Sequence, residues 1–183
     1  MSTGVAEGAA VGAAVAGPQQ DGAVRAATLP VAEDVGVLLN GLFDRAVTAR
    51  DESRLALAGR DVHMVGTYVE DDGRPRAAIL CDLMLGVVLG AALALVPVPR
   101  VQDALETGSV PPDFADNTRE VLNIAASLFN SADAHLKLRD VQVAPEPVSD
   151  DVVAFLRSQP YRADVTLEVP GYGTGVLAVL LTV

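Results

Sequence analysis

The sequence predicts a single α/β (α+β) domain in which helices pack on a mostly antiparallel sheet. Its 183 residues suffice for one well-packed domain, and half of them are apolar, so a sizeable core is available. Trp is absent and aromatic residues make up only 4%, so that core must consist mainly of Val, Leu and Ala. The α/β (α+β) class is predicted because segments with helical periodicity alternate with two segments that read as β-hairpins.

Residues 1–30 are predicted to form a disordered, Ala/Gly-rich leader ahead of one domain over residues 31–183. The leader holds small residues, has no hydrophobic period and includes the stretch Pro-Gln-Gln-Asp, and such a composition does not supply a packed core. It is atypical of a signal peptide because it lacks a basic region at its start and contains Glu7.

A helix and a hairpin are predicted at the start of the domain. Apolar residues recur at helical spacing over residues 31–50, which indicates a first amphipathic helix. Residues 62–69 and 76–81 are rich in strand-forming residues. The acidic turn between them contains Gly73, so the two segments are predicted to pair as a hairpin.

An apolar run over residues 77–98 is the one stretch long enough to suggest a membrane span. Asp82 interrupts it, and the uninterrupted part, residues 83–96, is shorter than the roughly 20 residues that a bilayer requires. We therefore predict a buried strand followed by a buried helix, with Asp82 at the N-cap and with Pro97 and Pro99 ending the helix. With no membrane span and no signal peptide, the protein is expected to be cytoplasmic.

The second half of the domain is predicted to hold two more helices, a strand and a closing hairpin. A linker ends at Pro112, and Ser149 stands where the N-cap of the last helix is expected. The closing hairpin turns through Pro-Gly-Tyr-Gly-Thr-Gly, and its last strand is apolar on both faces. The predicted elements are a long helix over residues 113–134, a strand over 138–144, a helix from the cap through 158, and strands over 163–169 and 176–183.

The net charge of −11 argues against two classes of partner. Nucleic acid binding requires clustered Lys and Arg side chains, and the sequence contains no such cluster. An anionic membrane surface would repel the chain for the same reason. Neither nucleic acid nor membrane is therefore expected as a partner.

The cysteine and the histidines do not predict a metal site. Cys81 is the single cysteine and lies in an apolar run, so it is expected to be a buried structural thiol. His63 and His135 lie far apart, without the His/Cys spacing that is typical of zinc ligands. We expect each histidine at a strand edge or on a helix surface.

The long predicted helix carries an unusual polar face. At about 100° per residue its apolar side chains fall on one side, and the polar residues opposite them are Asp116, Glu120, Asn123, Ser127 and Asn130. Most such faces do no more than stay hydrated. This one combines a carboxylate with amides, and Asn123 in mid-helix has a poor helix propensity. The face is therefore a candidate functional site as well as a plain solvated surface.

The segment DNTREVLN resembles the D/S-x3-E-x2-N signature of the CheC/CheX/FliY chemotaxis phosphatase family, in which about 22 residues separate the Asn from a following proline. Here Pro145 and Pro147 lie one residue either side of the expected position. The predicted order of elements over about residues 32–183 is also similar to the family. In the first helix Asn40 has Val37 where the signature requires Glu, so the chain resembles the single-site, CheX-like form.

The resemblance implies a phosphatase that acts on the aspartyl-phosphate of a CheY-like response-regulator receiver domain. Asn123 would orient the hydrolytic water and Glu120 would dock the active-site Lys of the receiver, with Asp116 and Ser127 as partner-binding residues. No cofactor of its own is implied, because the receiver supplies Mg²⁺. The resemblance also implies a homodimer joined partly through the sheets, and the strand over residues 176–183 is a candidate edge for that pairing.

Two other classes of function are consistent with the sequence. A non-catalytic receiver-binding or flagellar-switch-like module would have the same fold without phosphatase activity. A small-molecule enzyme is less favoured, because the glycines over residues 171–175 lie in a hairpin turn with no helix after them to bind phosphate. Asp71 and Asp72 beside Gly73 are better explained as a solvated acidic turn than as a cation site.

Overall fold

The computed structural model describes residues 29–52, 61–130, 135–158 and 160–182, and this part of the chain forms one antiparallel sheet with helices packed on it. The predicted leader lies outside the described residues apart from its last two positions, so it remains a prediction. Neighbouring strands all pair antiparallel, which confirms the predicted fold class.

The sheet has six strands in the order β1-β5-β6-β3-β2-β4. The strands are β1 (Thr48–Glu52), β2 (Met64–Val69), β3 (Pro75–Cys81), β4 (Lys137–Val143), β5 (Tyr161–Val169) and β6 (Gly173–Leu181). The helices are α1 (Ala32–Phe43), α2 (Leu83–Leu93), α3 (Val98–Glu106), α4 (Pro112–Ile124) and α5 (Asp150–Arg157), with a 3₁₀ helix at Ala125–Phe129. Both predicted hairpins, β2–β3 and β5–β6, are confirmed.

The first helix is shorter than predicted, because the chain reverses after Phe43 and then forms β1. Asp44 adopts a left-handed conformation with φ of 49°, which ends the helix. The Asn40 side-chain oxygen accepts the backbone N–H of Val47 at 2.6 Å and closes the turn. The prediction of a helix over residues 31–50 was therefore wrong beyond Phe43, since β1 is a short polar strand that depends on pairing with β5.

The predicted linker before Pro112 contains a helix, α3, that the sequence interpretation missed. Pro97 is the N-cap of α3, and Pro99 lies in its first turn, where a missing backbone N–H costs nothing. The two prolines that were expected to end α2 therefore begin α3, and α2 itself already ends at Leu93.

The last strand is not an edge of the sheet. β6 lies between β5 and β3 and pairs with both of them, so its backbone is not open to another chain. The prediction that residues 176–183 offer an edge for dimer pairing is therefore wrong. Its apolar character on both faces follows from burial between two layers of helix. Among the described strands the outermost are β1 and β4, and a homodimer would have to use another surface.

The sheet separates a large core from a small one. Helices α1, α2 and α4 pack on one face, and α5 packs on the other through Val152 and Phe155. α2 lies at the centre and is buried along most of its length, as predicted, and none of the described helices is long and apolar enough to cross a membrane. Cys81 is buried, as expected, and burial raises the pKa of its thiol.

The cap of α2 joins that helix to the sheet. The Asp82 carboxylate accepts the N–H of Leu85 at 2.7 Å, which confirms the predicted cap, and also the N–H of Val176 in β6 at 2.9 Å. Burial raises the pKa of Asp82, and the two backbone hydrogen bonds oppose that rise because they favour the charged form. One carboxylate thus fixes where α2 begins relative to the sheet.

The last helix is tied to the sheet by charge. Arg139 of β4 pairs with Asp151 in the first turn of α5. Ser149 occupies the predicted N-cap position, but its hydroxyl donates to the Asp151 carboxylate at 2.7 Å and does not cap a backbone N–H. Hydrogen bonds from Arg139 and Ser149 lower the pKa of Asp151 to about 2, so the pair stays charged at ordinary pH.

Helices α2 and α4 cross very closely. A Cβ added at Gly90 would lie 2.2 Å from the backbone oxygen of Phe114, so only glycine fits there. The hydroxyl of Thr118, which is fully buried, donates to the carbonyl of Gly86 at 2.8 Å. The crossing therefore fixes both the separation of the two helices and the rotation of α4 about its axis.

We expect Gly90→Ala to lower the free energy of unfolding by at least about 2 kcal/mol, because the added methyl group forces α4 away from α2. Urea denaturation measures the change. Gly41→Ala is the matched control, since Gly41 lies within α1 with nothing within 4 Å of an added Cβ. That variant should be slightly stabilised, by about 0.5–1 kcal/mol. Equal stability of Gly90→Ala and the wild type would contradict the description of the crossing.

Candidate functional site

The helix that carries the candidate residues is shorter than predicted and changes type along its length. α-Helical bonding ends at Ile124, a 3₁₀ helix continues to Phe129, and Asn130 is extended. The prediction of one helix over residues 113–134 was therefore wrong in its last part, and residues 131–134 lie outside the described part of the chain. Asp116, Glu120 and Asn123 all lie within the α-helical part, where the predicted spacing applies.

The two faces of α4 have opposite environments. The buried face contacts α2 and the sheet and consists of Phe114, Ala115, Thr118, Val121 and Leu122. Asp116, Glu120 and Asn123 are all exposed on the other side. Steps of four and three residues keep these three side chains within an arc of about 60°, and Glu120 and Asn123 are separated by roughly 4.5 Å along the axis. We call the exposed line of these three residues and Ser127 the α4 ridge.

Glu120 and Asn123 are free on the ridge. Neither side chain has a hydrogen bond or an ion pair to any other described residue. The Asn123 amide offers a donor and an acceptor, and the Glu120 carboxylate offers acceptors only. The two groups can therefore engage a partner without first breaking a bond within the protein.

Asp116 differs from the other two because it is paired within its own helix. Its carboxylate oxygen lies 2.8 Å from Nη1 of Arg119, while Nη2 of Arg119 donates to the carbonyl of Val141 in β4 at 3.3 Å. Asp116 nevertheless remains 75% exposed. Asp116 and Arg119 line a shallow cleft with Pro145 and Glu146, so one of the two prolines noted in the sequence lies beside the ridge.

The far end of the ridge is formed by the 3₁₀ helix. The hydroxyl of Ser127 donates to the carbonyl of Ile124 at 2.8 Å, and the residue remains exposed beside a groove that Val37 and Leu38 of α1 also line. Asn130, which the sequence placed on the same face, instead accepts the N–H of Leu136 at 2.8 Å. The ridge therefore ends at Ser127.

The asparagine of the first helix is not equivalent to Asn123. Asn40 uses its side-chain oxygen to hold the N–H of Val47, while Val37, at the position where the signature requires Glu, is 68% exposed. The amide of Asn40 is thus committed to closing a turn.

Metal ligands are not brought together in the part of the chain that the structure describes. Within residues 29–52, 61–130, 135–158 and 160–182, no group of three or more His, Cys, Asp or Glu side chains could hold a metal ion. His63 is half-buried just before β2 and its Nδ1 lies 3.1 Å from the carbonyl of Asp61, while His135 is exposed just before β4.

Sequence reasoning missed the residues that hold α4 in place. Thr118 donates to Gly86, Arg119 reaches β4, and the hydroxyl of Tyr68 in β2 donates to the carbonyl of Leu122 at 2.7 Å. A signal was available for Thr118, because it is a polar residue on the otherwise apolar side of the helical wheel. None was available for Tyr68, whose partner is a backbone atom far away in sequence.

We expect alanine substitutions of Asn123, Glu120 and Asn40 to differ in their effect on the free energy of unfolding, because only the Asn40 side chain bonds within the protein. Asn123→Ala and Glu120→Ala should change the free energy of unfolding by no more than about 0.5 kcal/mol, because these side chains make no internal bond. Asn40→Ala should cost about 1 kcal/mol, because the N–H of Val47 loses its acceptor. Urea denaturation of the three variants measures this order. A loss on Asn123→Ala as large as that on Asn40→Ala would mean that Asn123 is not free.

No family model matches this chain, and no curated protein matches it in sequence. It is similar to a chain of the FliM–SpeE complex from H. pylori, with 8% identity and a TM-score of 0.53 over 82% of this chain and 81% of that chain. The FliM middle domain from Vibrio alginolyticus gives 13% identity and a TM-score of 0.49, with coverage of 82% and 88%. The CheX–CheY complex from Borrelia burgdorferi gives 6% identity and a TM-score of 0.47, with coverage of 80% and 92%.

The TM-score of 0.53 shows that this chain shares the fold of a chain in the FliM–SpeE complex. Other solved structures to which this chain is similar are those of CheX, CheC-like and FliY proteins. At such low identities the likeness concerns the fold alone. A shared fold by itself gives neither an activity nor a partner.

Proposed function

We propose that this protein is a phosphatase for the aspartyl-phosphate of a CheY-like receiver domain. One observation carries the proposal: Glu120 and Asn123 stand exposed and unpaired, one turn apart, on a helix whose opposite face is fixed in the core. The reaction requires two such groups on a rigid support that enters the active site of another protein.

Hydrolysis of the aspartyl-phosphate requires little from the phosphatase except the positioning of one water molecule. Hydrolysis of an acyl phosphate needs a water in line with the scissile P–O bond and neutralisation of the charge on the phosphoryl oxygens. A receiver domain supplies the neutralising charge with its Mg²⁺ and Lys, as the resemblance implies. What remains is an oriented water, together with enough affinity to hold the two proteins in register.

Asn123 suits the task of orienting that water. Its amide oxygen accepts one hydrogen bond and its NH₂ group donates others, so that a water can be held without competition from a stronger nucleophile. A carboxylate in this place would be repelled by the phosphoryl oxygens. Asn123 brings no internal hydrogen bond that has to break on docking.

Glu120 suits the task of docking. Its carboxylate lies one turn before Asn123 on the same side of α4 and is exposed. In this proposal it pairs with the active-site Lys of the receiver, and such a charge-assisted bond fixes orientation as well as adding affinity. The pairing would place Asn123 over the phosphoryl group each time the ridge docks.

Asp116 and Ser127 are assigned to the two ends of the α4 ridge, at the edges of its contact with the receiver. Asp116 meets the partner already neutralised by Arg119, so it contributes mainly shape and hydrogen bonds at the first end of the ridge. Ser127 has its hydroxyl bonded to Ile124, and its small size permits close approach at the other end. Both residues are assigned to partner binding and not to catalysis.

A receiver-binding or switch-like module without catalysis is the alternative, and the likeness in fold to a chain of the FliM–SpeE complex favours it. Both functions use an exposed ridge, so they differ only in turnover. Phosphorylated receiver incubated with a hundredth of its amount of this protein distinguishes them, because only a phosphatase consumes the whole pool. Binding without accelerated loss of phosphate would assign the chain to the alternative.

We expect Asn123→Ala to lower kcat by about 10²-fold or more, because the water loses its orienting partner. Decay of phosphorylated receiver under saturating conditions measures kcat. Affinity for the receiver should change little, since Glu120 is untouched. Asn40→Ala is the matched control, because that amide serves the turn after α1, and it should retain the wild-type kcat. Wild-type activity in Asn123→Ala would overturn the assignment.

We expect Glu120→Ala to weaken docking and to lower kcat/KM by about tenfold or more through a raised KM. Saturation kinetics measure the effect at two salt concentrations. Since the lost contact is an ion pair, the wild-type KM should rise with salt more steeply than that of the variant. A Glu120→Ala variant with the same KM and the same salt dependence as the wild type would remove Glu120 from the interface.

A further inference from the structure

We propose that Tyr68 is a positioning residue for Asn123, and this inference rests on the proposed function. Tyr68 is fully buried in β2, and its hydroxyl donates to the carbonyl of Leu122 at 2.7 Å. Leu122 directly precedes Asn123 in α4. The tyrosine thus reaches from β2, the strand beside the edge strand β4, to the backbone next to the water-orienting amide.

The carbonyl that Tyr68 binds is one that the helix itself leaves open. α-Helical bonding ends where the N–H of Ala125 donates to the carbonyl of Val121, so Leu122 is among the last residues whose carbonyls need another partner. The carbonyl of Ile124 is satisfied by the hydroxyl of Ser127. Tyr68 provides the corresponding bond at Leu122 from outside the helix, and it comes from a different layer of the protein.

The bond acts on Asn123 through the peptide group. The carbonyl oxygen of Leu122 and the Cα of Asn123 belong to one planar peptide unit. When the hydroxyl of Tyr68 fixes that oxygen, it also fixes the plane from which the Asn123 side chain departs. The peptide lies just before α-helical bonding gives way to the 3₁₀ helix, so this bond fixes it where the backbone hydrogen-bond pattern changes.

Strand β2, which carries Tyr68, is paired on both sides and has an irregular register next to this residue. β2 is held between β3 and β4, and both ladders shift register beside Tyr68: after Thr67 towards β4 and before Val69 towards β3. Such irregularities re-aim side chains, and here Tyr68 and Val69 both face the large core in place of the usual alternation. The ring of Tyr68 also packs on Phe129 of the 3₁₀ helix, with centroids 4.8 Å apart. One side chain therefore holds the chain on both sides of Asn123.

Tyr68→Phe tests the inference, because it removes the hydroxyl and keeps the ring. We expect kcat towards phosphorylated receiver to fall about tenfold or more, with KM within about twofold of wild type, since docking through Glu120 is retained. The matched control is Thr182→Val, which removes another hydroxyl that donates to a distant backbone carbonyl, here that of Arg76 in β3 and not one in α4. That variant should lose some thermal stability and keep kcat within about twofold.

A second comparison separates positioning from general loosening. In the Asn123→Ala background, Tyr68→Phe should lower the remaining rate no further, because the group that it positions is gone. Should Tyr68→Phe not fold, Phe129→Leu takes its place, because it loosens the packing of the Tyr68 ring and so the placement of its hydroxyl; kcat should fall while KM stays within about twofold. Full kcat in Tyr68→Phe, an equal loss in Thr182→Val, or additive effects with Asn123→Ala would each overturn the inference.

Amide hydrogen exchange gives a readout that does not require activity. Residues 123–127 should exchange at least about tenfold faster in Tyr68→Phe than in wild type, and not in Thr182→Val. If wild-type protein fails to dephosphorylate any receiver, the proposed function fails, and exchange alone decides whether Tyr68 holds this segment. If wild type is active and Tyr68→Phe changes neither exchange nor kcat, the inference fails while the proposed function stands.

Discussion

The close crossing of α2 and α4 is the constraint on which the rest of the structure depends. Gly90 lets the backbones meet, and the hydroxyl of Thr118 reaches the carbonyl of Gly86 at the same place. α2 in turn is fixed to β6 by the carboxylate of Asp82. Because α4 cannot rotate or withdraw, its outward face is determined, and that is the face with Glu120 and Asn123.

Three asparagines illustrate how position, and not residue type, decides what an amide does. Asn40 closes the turn after α1, and Asn130 holds the N–H of Leu136 beyond the 3₁₀ helix. Asn123 lies between them on the exposed face of α4 with no partner among the described residues. Asn has a low helix propensity, and the Asn123 side chain makes no hydrogen bond that would stabilise the fold. Its presence in α4 therefore supports a role in contact with a partner.

Features that depend on local periodicity, such as the faces of a helix, could be predicted from the sequence. Features that depend on pairing between residues far apart in the chain could not. The spacing of Asp116, Glu120 and Asn123 follows from the helical repeat, and their exposure is confirmed. β1 was missed because a short polar strand owes its existence to pairing with β5, which lies far along the chain. The inner position of β6 and the contact of Tyr68 with Leu122 likewise depend on strand order and register, which no local pattern encodes.

A structure of this protein bound to a receiver held in its activated form by beryllofluoride tests the central claim most directly. The account predicts the α4 ridge inserted into the receiver's active site, with the Asn123 amide within hydrogen-bond distance of the water position in line with the acyl phosphate. It also predicts the Glu120 carboxylate paired with the receiver's Lys. A complex in which the receiver binds elsewhere, with both side chains still facing solvent, would contradict it.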